Sequence, residues 1–233
     1  MLGKRNVILG GLSVAVATIF LTAAPVLAAA SLALKQSIAE SARSDSDVAQ
    51  FYQASNYEPL WVGRERDDRA RRSALADVLA SAGDHGLPAT AYDLQLITRD
   101  LNRVGSDREL GQLEVAITRL FLDYARDVQS GYLNPQSVDD EIARKVPLRD
   151  RGQILTAFSK STPAAFMRAL PPQTEEYSRL MKHKFVLEDV IARGGWGGTV
   201  PDGKYQQGDT GNGVIALRNR LIAMGYMPRT SRT

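Results

Sequence analysis

Asp107-Arg108-Glu109-Leu110-Gly111-Gln112-Leu113-Glu114-Val115-Ala116-Ile117-Thr118-Arg119-Leu120-Phe121-Leu122-Asp123-Tyr124-Ala125-Arg126-Asp127-Val128-Gln129 is the longest periodic stretch of the chain. Leu110, Leu113, Ile117, Leu120, Phe121, Tyr124 and Val128 recur at the i, i+3, i+4, i+7 spacing of one helix face. Gly131 stops the pattern and Asn134-Pro135 marks a turn. Glu114, Arg119, Asp123, Arg126 and Asp127 read as the solvated side. A helix with one wide apolar stripe needs other elements to cover it, and the neighbouring sequence supplies helices.

Upstream, Arg69 to Ala82 reads as a helix with Ala74, Leu75, Val78, Leu79 and Ala82 on one face, stopped by Gly83. The arginine-rich run Arg64 to Arg72 is interleaved with Glu65, Asp67 and Asp68 and reads as a solvated helix face. Before it, Phe51-Tyr52-Gln53-Ala54-Ser55-Asn56-Tyr57-Glu58-Pro59-Leu60-Trp61 holds four aromatics in eleven residues, which reads as core packing. Pro59 pushes Glu58 towards an extended backbone and turns Leu60-Trp61 back onto the core. Downstream, Ile154, Leu155 and Phe158 predict a short helix. Thr162-Pro163 opens another, and Thr174 to Arg193 a longer one whose buried stripe is Tyr177, Leu180, Met181, Leu187 and Ile191. No segment alternates cleanly like a strand, so the fold class expected is mainly α.

Residues 1–30 have the layout of a secretory signal peptide: Lys4 and Arg5, an apolar run from Val7 to Leu21, Pro25, and small residues around Ala28. The uncharged stretch is also long enough for an uncleaved anchor. Either way the chain is expected to be exported, to the periplasm or cell envelope, with membrane contact only transient if the segment is cleaved. Net charge is +3, two units of which are Lys4 and Arg5, so a nucleic-acid partner is not expected. There is no cysteine and there are two isolated histidines, His85 and His183, so neither a metal nor another cofactor is expected. His85, in the turn Asp84-His85-Gly86-Leu87-Pro88, reads as a turn-capping or partly buried histidine; Asp139, Asp140 and Glu141 read as solvated acids.

At the far end, Gly208-Asp209-Thr210-Gly211-Asn212-Gly213 leads into a stripe of Val214, Leu217, Leu221 and Met224, with Gly225 placed to end the helix. Asp209, Thr210 or Asn212 is expected to cap it. Gly208, Asp209, Gly211, Val214, Leu217, Leu221, Gly225 and Tyr226 resemble the opening of a three-helix peptidoglycan-binding domain. The matching positions Asp209, Gly211, Leu217, Leu221, Gly225 and Tyr226 are mainly fold-forming.

The aromatic segment, Leu79-Ala80-Ser81-Ala82-Gly83-Asp84-His85-Gly86-Leu87, Tyr124-Ala125-Arg126-Asp127, and Leu170-Pro171-Pro172 through Tyr177 and Leu180 follow in one order. Together they resemble the N-terminal half of the large periplasmic L,D-transpeptidases, the murein cross-linking enzymes with a helical scaffold. The resemblance implies a signal peptide (1–30), a leader segment (31–47), a multi-helix scaffold domain (48–193), a linker (194–207) and an incomplete peptidoglycan-binding module (208–233). It also implies peptidoglycan as partner, and a partner chain for the unpaired C-terminal helix. In that family a separate, mostly-β domain carries a cysteine that forms a thioester with a stem peptide and passes the acyl group to an amine. With no cysteine here, no catalytic residue carries over, and the expectation is a truncated, non-catalytic member. A stand-alone wall-interaction protein, and a glycosidase using Asp139, Asp140 or Glu141, are the alternatives.

Overall fold

The computed structural model describes residues 31–98, 101–142 and 146–229, so the signal-peptide reading lies outside the described residues. Among the described residues all regular structure is helical. The helices are α1 (Leu32–Ala42), α2 (Ser46–Ala54), α3 (Arg66–Ala80), α4 (Gln95–Thr98), α5 (Asp107–Ser130), α6 (Pro135–Val138), α7 (Arg151–Ser159), α8 (Pro163–Ala169), α9 (Glu175–Ala192) and α10 (Asn212–Ala223). Ser106 caps α5 by accepting from the Glu109 N–H, and Gly131 ends it with φ +92°.

α5 is the axle of the fold, and α1 lies along it. Leu34, Ile38 and Ala42 of α1 share one buried cluster with Leu113, Ile117, Phe121 and Tyr124 of α5, so the segment before residue 48 is part of the core. Gly111 makes the approach possible: a Cβ there would sit 2.5 Å from the Ser37 side chain and 2.9 Å from the Ile38 nitrogen. Ser37 donates to the Arg108 carbonyl at 2.7 Å, which fixes the crossing.

α2 packs on α1 and α7, and α3 on α8. Asp45, the cap of α2, receives both guanidinium nitrogens of Arg151 at 2.9 and 2.7 Å, tying α7 to the start of α2. Desolvation raises the Asp45 pKa, but the Arg151 and Val48 hydrogen bonds outweigh it and hold the carboxyl below its ordinary value. α3 begins at Arg66, three residues before the periodicity suggested, because Glu65 and Asp68 form a reciprocal capping box.

α9 departs from its expected role. It forms, but none of its residues is buried; Leu180, Leu187 and Ile191 are 68, 48 and 71% exposed. Periodicity shows that a stripe exists, not that anything covers it, and the main neighbour of α9 is the Ala82–His85 turn. α10 likewise buries no residue.

Candidate functional site

Two centres organise the folded unit, and each contains a buried acid, Glu114 or Asp127, that the periodic reading put in solvent. The first is Glu114. It is fully buried, and its Oε1 accepts from the Tyr52 hydroxyl and the Leu60 N–H, each at 2.6 Å. Its Oε2 accepts from the Trp61 N–H at 3.0 Å and the Val62 N–H at 2.9 Å. Three successive backbone donors thus converge on one carboxylate. Burial pushes the Glu114 carboxyl up, while Tyr52 and the three N–H groups pull it back.

The chain reaches this position by a costly turn. Asn56 and Tyr57 both take positive φ, 53° and 56°, which L residues seldom adopt. The turn closes with the Tyr57 N–H on the Tyr52 carbonyl at 2.7 Å. It delivers Trp61 into the centre, stacked on Phe158 with centroids 5.2 Å apart and tilted against Phe121 at 5.6 Å. Its indole N–H donates to Thr118 at 2.9 Å. The core reading of the aromatic segment therefore holds for Tyr52, Leu60 and Trp61.

The arginine-rich run needs correcting too. Asp68 is buried; Arg72 donates to the Trp61 carbonyl and, at 2.9 Å, to the Gly63 carbonyl. Arg71 bridges Asp68 at 2.9 Å and the Leu60 carbonyl at 3.3 Å. Part of this run therefore clamps the far side of the segment that Glu114 holds, while Arg64, Arg66 and Arg69 stay exposed as expected.

The second centre is an open groove of about 1130 Å³ at the C-terminal end of α5. Its walls are the His85 turn, Gly131-Tyr132-Leu133 and the start of α9. His85 Nδ1 lies 2.6 Å from the Tyr177 hydroxyl, with the rings near parallel. Below, Asp127 accepts from the Tyr92 hydroxyl at 2.9 Å and from Arg126 at 2.6 Å, so it too is a buried structural acid. The positive φ of Gly131 turns the chain out of α5 and leaves Tyr132 and Leu133 exposed at the rim. Gln129, in the same wall, has a buried amide nitrogen without a hydrogen-bond partner.

The partly buried reading of His85 holds. Burial depresses its imidazole pKa; Asp84 opposes that and Lys184 adds to it. A neutral ring is thus favoured when α9 is docked. As pH falls through about 6.5 the undocked state takes up its proton first. Docking of α9 is therefore strongest above that pH and weakens below it. An NMR titration of His85 is expected to give a midpoint below about 6.5; a midpoint above it would contradict this geometry.

Asp139, Asp140 and Glu141 are exposed, and Asp139 closes its own turn on the Glu141 N–H at 2.9 Å. Asp209 is not the cap of α10. Its carboxylate accepts from the Gln206 N–H at 2.7 Å, and Gly211, φ +113°, takes the cap position without a side-chain bond. Neither Thr210 nor Asn212 caps it either: Asn212 is already the first helical residue. Gly225 does end α10, with φ +81° and the Tyr226 N–H bonded to the Leu221 carbonyl at 2.9 Å. Leu217 and Leu221 are half-buried and Tyr226 is exposed. None of Asp209, Gly211, Leu217, Leu221, Gly225 and Tyr226 lines the groove.

Residues 46–183, more than half of the chain, match the family described as Scaffold domain. The chain belongs to the Scaffold domain family. This is the scaffold region of L,D-transpeptidase-family proteins. The matched span runs from α2 into the middle of α9 and contains both centres. α1 lies before the Scaffold domain match, although it shares the core. No curated protein and no solved structure matches the chain.

Sequence reasoning missed Glu114 and Asp127, though a signal was present. Glu114 is four residues after Leu110 and three before Ile117; Asp127 is three after Tyr124. The two positions flank the apolar stripe at its opposite edges.

Proposed function

We propose that this chain serves as the helical scaffold of an L,D-transpeptidase-family protein of peptidoglycan cross-linking, exported to the cell envelope and without a catalytic centre of its own. The observation that carries the reading is the family match over residues 46–183. The sequence contains no cysteine, so the thioester chemistry that the family resemblance implies must be supplied from outside it. Its own contribution is to hold surfaces in place. A core keyed by Glu114 and Trp61 presents the groove beside His85, the arm α9, and α10 with its peptidoglycan-binding-like pattern.

Co-sedimentation of the purified chain with murein sacculi tests the reading. Retention that soluble muropeptides compete away is expected, reduced in Tyr226→Ala if the α10 unit contributes. A chain that stays in the supernatant at low ionic strength contradicts association with the wall.

A further inference from the structure

Between the second half of α5 and the entry to α7 lies a separate cavity of about 420 Å³, a volume typical of small-molecule sites. It shares only Gln129 and Ser130 with the groove beside His85. Part of its lining is apolar: Leu122 and Ile154 belong to the buried core, and the exposed Leu148 joins them. Four charged residues also line it. Two of these are committed elsewhere, Arg126 to Asp127 at 2.6 Å and Arg151 to Asp45 at 2.7 Å and Asp47 at 3.3 Å. That leaves Asp123 on α5 and Arg149 just before α7. Among the described residues neither side chain has a hydrogen bond or an ion pair, so the two do not neutralise each other. Partial burial pushes the Asp123 carboxyl above its ordinary value; Asp127 and Asp45 add to that, while Arg126 and Arg151 oppose it. Gln129 contributes a buried amide nitrogen without a hydrogen-bond partner.

We propose that this cavity binds the zwitterion of a short peptide with free ends. Arg149 receives the terminal carboxylate, Asp123 the terminal ammonium, and the Gln129 amide donates to a peptide carbonyl. An aliphatic side chain of the ligand rests against Leu122, Leu148 and Ile154. The uncommitted groups select this class. A simple anion leaves the Asp123 carboxylate without a partner, and a simple cation leaves Arg149 without one. A molecule with one charge of each sign and an apolar body meets both, and a buried donor without an acceptor calls for the carbonyl that a free amino acid lacks. The site stands independently of the wall reading.

An NMR titration of the chain with alanyl-leucine tests this. Saturable binding is expected, with the largest shifts at the amides of Asp123, Gln129 and Arg149. The N-acetylated and the C-amidated dipeptides are each expected to bind about tenfold more weakly. Arg149→Ala is expected to abolish the discrimination against the amidated form, and Asp123→Asn the discrimination against the acetylated form. Neither side chain holds the fold together, so circular dichroism is expected to stay unchanged in both variants. No saturation by about 20 mM dipeptide overturns the proposal, as does equal binding of the blocked and free dipeptides. Shifts centred on Tyr177 and Tyr132, unaltered in both variants, place the ligand in the groove beside His85 and equally overturn it.

Discussion

Replacing Glu114 with glutamine is expected to destabilise the fold by about 3 kcal/mol, read as a lower urea midpoint with an unchanged slope. The geometry leaves no neutral way out. Every group facing this side chain is a donor: the Tyr52 hydroxyl and the N–H groups of Leu60, Trp61 and Val62. A carboxylate accepts all of them; an amide puts its own N–H₂ against at least one. The donor left over is buried, where an unmet hydrogen bond costs its full desolvation. Tyr52 cannot relieve this by ionising, because its burial alone pushes the phenol well up. A midpoint shift worth less than about 1 kcal/mol would show that Glu114 is incidental to the fold.

Truncating Trp61 to alanine is expected to cost about 4 kcal/mol. The indole touches Phe121 and Phe158, whose tilted rings lie 4.7 Å apart, and Phe158 continues the cluster to Phe166 at 5.3 Å. Its removal leaves a cavity where α2, α5, α7 and α8 meet around the Leu60–Val62 segment. It also takes away the donor to Thr118, whose hydroxyl keeps Tyr52 and the Glu114 carbonyl as partners. Trp196 is the natural control: it is 39% exposed, and its replacement by alanine is expected to change stability by less than about 0.5 kcal/mol. Equal losses in the two variants would contradict the central place given to Trp61.

The core was legible in the sequence wherever burial and periodicity coincide. The apolar stripe of α5, the aromatic segment, and Ile154, Leu155 and Phe158 of α7 all occupy the positions their spacing dictates. Hydropathy misled at Glu114, Asp127 and Asp68, because charged residues are read as surface by default. What buries them is a set of partners from distant sequence: Tyr52 and Leu60–Val62 for Glu114, Tyr92 for Asp127. Only the pairing of segments reveals such partners. α9 failed in the opposite sense. Its stripe is real, but a stripe says only that a cover is needed, and among the described residues the His85 turn covers only its start, at Tyr177. The groove at His85 was half visible: the turn was readable, but not that Tyr177, 92 residues away in the chain, closes on its ring.

These findings describe a tightly keyed helical core carrying a loosely held arm. Native-state hydrogen exchange on the dilute chain tests that most directly. The account predicts that the Leu60, Trp61 and Val62 amides, locked onto Glu114, exchange only through global unfolding, while amides in the second half of α9 exchange through local opening at far lower cost. Equal protection in the two places, or fast exchange at Leu60–Val62, would contradict it.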